Sequence, residues 1–493
     1  MHVHVPTRTL LIPSEDPLHI REVVKSSRII EAPDYNIAVK HTVANTRILR
    51  NIGYAAPSPI VAYYNWPGRY KPFEHQKVMA EFATMHYRMF NLSEMGAMKT
   101  AANLWAADWL MKEGKVHKCL ILAPLAILER TWMSDIFDTL LHRQAVVVHG
   151  PRETRMKRLR GPADFYVMNH DGLMNKEMIE FIHTDPDFDL VIVDEGSAFR
   201  NHDTDRFRGM QTMLRPDMRV WWNTGTPAPN YPSDVWAQVR LVNANNVPKF
   251  FGSFKRETMI QAGKFNWKPK DDAYETAFKA MQPAIRFQKK DVIGLPPVLP
   301  PRSWQAPLSK EQTSAFKKMR DEMTASLHSG QQVTAVNAAD KLNKLRQILC
   351  GAIKDEAGNY IVLPHGGRTQ LVFDACEQAA AKVIVIVPFK GILQSLAKEI
   401  GTKYSVGVLN GDVGIGQRNK IIYDFKNAPD PHLLLCHPQV MSHGLNLTEA
   451  DMLVFYAPIF SNDQYQQVIE RYNRAGQVNP MSQVRIGAHQ LEW

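Results

Sequence analysis

Short unbroken apolar runs come in two groups along this chain, with a long stretch between them that lacks such runs. Cys119-Leu120-Ile121-Leu122-Ala123, Leu190-Val191-Ile192-Val193 and Val220-Trp221-Trp222 form the first group. Val383-Ile384-Val385-Ile386-Val387, Val406-Gly407-Val408-Leu409, Leu433-Leu434-Leu435-Cys436 and Met452-Leu453-Val454-Phe455 form the second. Runs without polar alternation are what strands buried on both faces look like. Helix-like sequence follows each run of the second group, so the pattern predicts an α/β chain with two parallel-sheet lobes in tandem. A length of 493 residues is too great for one ordinary core and accommodates both.

Residues 1–65 carry no assignable motif and read as a small N-terminal extension. Val3-His4-Val5 and Leu10-Leu11-Ile12 are candidate strands there, and Pro57, Pro59, Pro67 and Gly68 mark the exit. The first lobe is expected over 66–295, with a helical protrusion at about 233–285. The second is expected over 296–493, with a helical protrusion at about 308–351. Leu342, Leu345, Ile348 and Leu349 have helical spacing, and Pro296-Pro297 and Pro300-Pro301 punctuate the junction as a stiff turn.

Ser93-Glu94-Met95-Gly96-Ala97-Met98-Lys99-Thr100 stands before a helical stretch whose apolar face is Leu104, Ala107 and Met111, closed by Gly114. The arrangement suits a loop whose backbone N–H groups surround ATP phosphates, from Met95, Gly96, Ala97 and Met98 to Lys99. There Lys99 neutralises the terminal phosphates and the Thr100 hydroxyl holds Mg2+. Met98 takes the position before the lysine where glycine is usual. A side chain there is expected to force a left-handed backbone at a cost of about 1–2 kcal/mol, small beside the roughly 8 kcal/mol of a micromolar nucleotide.

Asp194-Glu195 at the end of an apolar run would face the same crevice, because ligands in such sheets bind beyond the strands' carboxyl ends. Asp194 would bind Mg2+ and Glu195 would orient the attacking water. Thr224-Gly225-Thr226-Pro227 follows another run, and its hydroxyls can link the carboxylate pair to the rest of the machine. Gln76, shortly before the loop, can read an adenine edge through its amide. Arg471 and Arg474, three apart on a helix-like segment, are expected on one helical face from which they would stabilise charge on the transferring phosphoryl group.

Lysine plus arginine number 59 against 49 aspartates and glutamates, a net charge of +10 that favours a polyanionic partner such as nucleic acid. The cysteines, Cys119, Cys350, Cys376 and Cys436, are scattered without Cys-x-x-Cys spacing, which argues against a disulfide framework or structural zinc and for a reducing cytoplasm. Apolar runs fall short of the roughly 20 residues that span a bilayer, so no membrane association is expected. The start lacks the segments of a signal peptide.

In this order the motifs resemble the Swi/Snf-like branch of the superfamily-two helicases, double-stranded DNA translocases with two RecA-like lobes. The resemblance runs from about Phe73 to Gln477. It includes the strand Leu120–Ala123 ending in Pro124-Leu125-Ala126-Ile127-Leu128 with Trp132 beyond, and Thr224–Pro227 with Asn230 and Trp236. It continues through Arg286-Phe287-Gln288-Lys289-Lys290-Asp291-Val292 leading to Leu295-Pro296-Pro297, then Gly444-Leu445-Asn446-Leu447-Thr448, Arg471, Arg474, Gly476 and Gln477. Asp194-Glu195-Gly196-Ser197 departs from the family's usual Asp-Glu-Ala-His, and Ser442-His443 from its usual glycines. The compact form looks more like bacterial or bacteriophage members, for which the host cytoplasm would be the site of action.

The resemblance implies a DNA-stimulated ATPase that couples hydrolysis, with ATP and Mg2+, to sequence-independent movement on duplex DNA. Within it Gly444 and Asn446 would contact nucleotide, and Ser197, Thr224, Gly225, Thr226 and Gln467 would couple hydrolysis to DNA. Pro124, Leu125, Asn169 and His170 in the first lobe, with Phe389, Lys390, Asn410, His437 and Pro438 in the second, would grip the phosphate tracks. A strand-separating helicase on branched DNA or RNA and an ATPase-deficient DNA-binding clamp are the alternatives.

Overall fold

The computed structural model describes residues 1–263, 266–292, 294, 296–328, 335–354, 360–364, 367–441, 445–459, 461–474 and 476–488. The chain divides into two compact units, Met1–Val292 and Ile293–Trp493.

The first unit is built on a seven-stranded, all-parallel sheet. Its strand order is Ala284–Ile285, Arg88–Asn91, Arg219–Asn223, Phe188–Val193, Lys118–Ala123, Phe165–Asn169 and Ala145–Val148. Successive side chains point to opposite faces. Leu120, Leu122, Val191, Val193, Val220 and Trp222 therefore pack into the core on one side, while Cys119, Ile121, Leu190, Ile192 and Trp221 pack on the other. Both faces are covered, which is why these strands read as unbroken apolar runs. Parallel pairing puts every strand's carboxyl end on one edge, and that edge carries the site described below.

Residues 1–64 form a structured module. An antiparallel sheet of His2–His4, Thr9–Ile12, Ile37–Lys40 and Ser27–Ile29 packs with helices Pro17–Val23 and Val43–Asn51 around Leu10, Ile12, Ile20, Ile37, Val39 and Leu49. Its exit is bolted to the lobe by fully buried Asp108, which accepts from Tyr64 Oη at 2.6 Å, His142 Nε2 at 2.9 Å and Arg143 Nε at 2.7 Å, and pairs with Lys112 at 3.0 Å. Those bonds outweigh the cost of burial and hold the Asp108 carboxyl below its ordinary range.

The stretch expected to protrude at 233–285 is a layer of the lobe. Its helices are Val235–Val242, Phe251–Thr258 and Ala273–Ala280, with a hairpin of Met259–Gln261 and Trp267–Pro269. Trp236, Val239, Phe254 and Ala277 join the core beneath the sheet, and Ala284–Ile285 is its edge strand.

The second unit holds a six-stranded, all-parallel sheet in the order Arg302–Gln305, Ser482–Gly487, Ala450–Phe455, Lys382–Ile386, Leu433–Cys436 and Val406–Leu409. Helices Lys310–His328 and Ala335–Cys350 precede its central strands, and Leu345, Ile348 and Leu349 are buried while Leu342 is exposed. Arg368 is buried in this unit, donating to the carbonyls of Leu349, Tyr456 and Ile486 and so tying a helix end to two strand ends.

Candidate functional site

Strand Arg88–Asn91 runs into a loop that ends at helix Lys99–Lys112. Gly96 adopts φ +82° and Met98 φ +57°, ψ 40°, the left-handed conformation expected of the residue before the lysine. Lys99 Nζ donates to the carbonyls of Ser93 at 2.7 Å and Glu94 at 2.9 Å, so the ammonium lies against the loop that would surround phosphate. Thr100 starts the same helix, half-buried. Residues Ala102–Leu110 of that helix are buried on all sides, beyond the single apolar face that Leu104, Ala107 and Met111 imply.

The loop is braced from outside. His75 meets the Ala97 carbonyl at 3.2 Å, and Gln76 Nε2 donates to the Met98 carbonyl at 3.1 Å. Gln76 Oε1 accepts from the Phe73 N–H at 2.9 Å, so both ends of the amide expected at adenine are engaged by the chain itself. Ser93 Oγ accepts from the Phe287 N–H at 3.0 Å and Glu94 Oε2 from the Lys289 N–H at 2.9 Å, which anchors the loop to the 286–292 segment.

Strand Phe188–Val193 delivers Asp194 and Glu195 to the same sheet edge. Asp194 Oδ1 accepts from the Glu195 N–H at 3.1 Å, and Oδ2 accepts from the Trp132 indole N–H at 3.1 Å. Glu195 has φ +50° and ψ 51°, a second left-handed non-glycine residue at the site. Such backbones cluster where surrounding structure over-determines them. Gly196 follows because a Cβ there would lie 1.9 Å from Trp222 Nε1. The indole thus fills the space that an alanine would need, and its N–H donates to Gln238 Oε1 at 3.2 Å. Gln238 Nε2 donates in turn to the Pro227 carbonyl at 2.7 Å. Ser197 is buried beside this chain of contacts.

The segment Thr224-Gly225-Thr226 comes to the phosphate loop. A Cβ on Gly225 would sit 3.2 Å from the Met95 N, so the glycine permits close backbone approach. Thr224 is buried and its Oγ1 accepts from the Thr226 N–H at 3.3 Å. One turn past Lys99, Asn103 Nδ2 donates to Asn223 Oδ1 at 3.0 Å, and Asn223 Nδ2 reaches the Val193 carbonyl at 3.3 Å. This buried amide pair ties the lysine helix to the acid-bearing strand. Its only sequence signal is a polar residue closing an otherwise apolar run.

Four expected DNA grips need correction. Asn169 and His170 are buried, and His170 Nε2 bonds the Asp194 carbonyl at 2.9 Å with its ring against Phe199, so it supports the acid loop. Burial holds the His170 imidazole down to about 4, neutral at pH 7. Asn410 and Pro438 are also buried, and Asn410 Oδ1 accepts from the Asp412 N–H at 2.9 Å. Pro124 is half-buried and Leu125 53% exposed at the end of strand Lys118–Ala123. Phe389 and His437 are half-buried, and exposed Lys390 pairs with Asp412 at 2.9 Å.

In the second unit, Arg471 belongs to helix Asn462–Tyr472 and is buried, with Nε on the Met441 carbonyl at 2.9 Å. Arg474 lies beyond the helix end, half-buried, with Nε on the Glu470 carbonyl at 3.0 Å. The two do not share a helical face, because the helix stops between them. Gln467 is half-buried in the helix and Asn446 is exposed. Gln477 is buried and spends its amide on the Ala450 and Tyr472 carbonyls and on the Val478 and Asn479 N–H groups. Ser442, His443, Gly444 and Leu295 lie outside the described residues.

Residues 75–352 match the SNF2-related domain and residues 368–476 the helicase conserved C-terminal domain. The chain is 24% identical over 412 residues to a putative protein, p41, of Acyrthosiphon pisum secondary endosymbiont phage 1, covering 80% of this chain and 85% of that one. It is 23% identical to an uncharacterized ATP-dependent helicase of Mycoplasma genitalium, covering 80% of this chain but 37% of the relative. It is also 23% identical to the ATP-dependent DNA helicase DDM1 of Arabidopsis thaliana, covering 80% of this chain and 56% of the relative. Among solved structures, the SWI2/SNF2 ATPase core of Sulfolobus solfataricus in complex with dsDNA is 19% identical with a TM-score of 0.44, covering 86% of this chain and 90% of that one.

Proposed function

The chain belongs to the family of the SNF2-related domain, and on that premise we propose that it is a DNA-stimulated ATPase whose hydrolysis drives movement along duplex DNA. One observation carries the reading. Three motif loops meet at the carboxyl edge of one parallel sheet, with Lys99 on the first, Asp194-Glu195 on the second, and Gly225 of the third against the backbone of Met95. Phosphoryl transfer is mostly positioning and charge stabilisation, and a preorganised loop supplies both.

In this account the N–H groups of the 95–99 loop and the Lys99 ammonium hold the ATP phosphates. Thr100 and Asp194 offer hard oxygen donors, the set that suits Mg2+. Bound Mg2+ supplies charge neutralisation across the terminal phosphates. Glu195 orients the attacking water, and its left-handed backbone, wedged by Gly196 against Trp222, aims the carboxylate. Arg471 and Arg474 supply the cationic charge that stabilises the departing phosphoryl group. Pro124, Leu125, Phe389, Lys390 and His437 remain the exposed or half-exposed candidates for duplex contact.

An ATPase-deficient clamp is the second reading, favoured by Met98 in its strained conformation and by Ser197 in the coupling motif. ATP turnover measured with single-stranded, duplex and forked DNA and with RNA separates the readings. Duplex-stimulated turnover supports the motor, fork- or RNA-specific turnover a strand-separating helicase, and DNA binding without turnover the clamp.

A further inference from the structure

One buried side chain stands between the acid-bearing loop and the Thr224–Pro227 loop. Gln238 lies on helix Val235–Val242 and is fully buried. Its Oε1 accepts from the Trp222 indole N–H at 3.2 Å, and its Nε2 donates to the Pro227 carbonyl at 2.7 Å and the Asp234 carbonyl at 3.2 Å. Each partner belongs to a different element. Trp222 is in strand Arg219–Asn223, Pro227 follows Thr226 in the loop, and Asp234 caps the helix. Both amide hydrogens are used, so the side chain has one orientation. Its helix neighbours Val235, Trp236 and Val239 are core residues, and an apolar side chain of like volume would fill the same space without burying an amide.

What the amide fixes is the indole. Trp222 is fully buried, and its ring occupies the place where a Cβ on Gly196 would stand. It also meets Phe199 edge-on at 5.2 Å, at the far end of the turn Gly196–Phe199. Glu195 caps that turn in left-handed backbone. A turn of the indole would press on Gly196 or leave a gap beneath it, and close packing passes either change to the peptide that carries Glu195. On its other side Gln238 pins the Pro227 carbonyl, two residues past Gly225, whose backbone lies against Met95 of the phosphate loop.

We infer that Gln238 is a positioning residue for hydrolysis. By holding the indole under Gly196 and the Pro227 carbonyl together, it sets the aim of the Glu195 carboxylate relative to the Thr224–Pro227 loop. The inference rests on the reading of Glu195 as the residue that orients the attacking water. The Lys99 loop is braced by other bonds, from His75 and Gln76, so Gln238 acts on rate and leaves ATP affinity alone.

Steady-state ATPase assays with duplex DNA, paired with titration of a non-hydrolysable ATP analogue, test this on the full chain. Gln238→Met keeps the volume and deletes all three hydrogen bonds. The expected result is a fall in kcat of about tenfold or more, on the scale of a slightly misplaced reacting group, with analogue affinity within about threefold of wild type. Trp222→Phe keeps a ring under Gly196 and deletes only the indole N–H. It should also lower kcat without loss of affinity, which decides the matter if Gln238→Met does not fold. In the double variant the two losses should overlap, because both break the same contact. Wild-type kcat in either folded variant, affinity lost in step with rate, or fully additive losses would each overturn the inference and leave the ATPase reading intact. Wild-type turnover no greater than that of Glu195→Gln overturns that reading and the inference with it.

Discussion

The indole N–H of Trp132 donates to the Asp194 carboxylate at 3.1 Å, so the carboxylate proposed to hold Mg2+ is aimed by a buried aromatic from the element after a neighbouring strand. Trp132→Phe keeps most of the apolar volume and deletes that bond. A hydrogen bond to a charged group is worth about 1.5–3 kcal/mol, so ATP turnover should fall about tenfold or more and the Mg2+ concentration for half-maximal activity should rise. Steady-state ATPase assays across a Mg2+ series read both effects. An unchanged Mg2+ requirement would assign Trp132 to packing alone.

Met98 occupies left-handed backbone with φ +57°. Met98→Gly should relieve about 1 kcal/mol of strain, seen as a higher denaturation midpoint, and tighten nucleotide binding. A β-branched Met98→Val should do the opposite. Urea unfolding and ATP titration of the three proteins check the order.

Gly196 has no room for a methyl group beside Trp222. Gly196→Ala should destabilise the first unit by about 1–3 kcal/mol through overpacking, and Trp222→Leu should restore part of that loss in the double variant. The double-mutant cycle on unfolding free energy gives the coupling directly. Additive effects would mean that the two residues do not share that space.

His170 is buried against the Asp194 carbonyl, with its imidazole held down to about 4 from the ordinary 6.5. A folded-state value below the unfolded one means that the unfolded chain takes up the proton first. The contribution is fully present above pH 6.5 and is lost as pH falls towards 4. The loss should amount to about 2 kcal/mol by pH 5. Wild-type stability should drop between pH 7 and pH 5 by more than that of His170→Gln, as measured by chemical denaturation at each pH.

The two-sheet architecture was legible because strands buried on both faces leave continuous apolar runs, as in Leu190–Val193 and Val383–Ile386. Short or mixed strands left less trace. Arg88–Asn91 begins with a charge, and Ala284–Ile285 is two residues long at the sheet edge. That Met95–Thr100 lead into a helix and that Asp194 and Glu195 follow an apolar strand was legible, because both are local patterns. What holds them was not. Trp132, His170, Gln238 and the Asn103–Asn223 pair act across the fold through side-chain hydrogen bonds, and a bond between residues far apart in sequence leaves no periodicity. The same holds for the misplaced grips: sequence position puts Asn169 and His170 at a strand end but does not say that both are buried or that the His170 ring meets the Asp194 carbonyl.

The central claim is that this chain turns over ATP at the Lys99 loop, with Glu195 positioning water, in response to duplex DNA. The most direct measurement is steady-state ATP hydrolysis by the wild-type chain and by Glu195→Gln, each with and without plain duplex DNA. The account expects wild-type turnover to rise with duplex and to fall by about a hundredfold or more in Glu195→Gln, as removal of a positioned acid–base group predicts, with ATP binding retained. Wild-type turnover no greater than that of Glu195→Gln at any duplex concentration would contradict it.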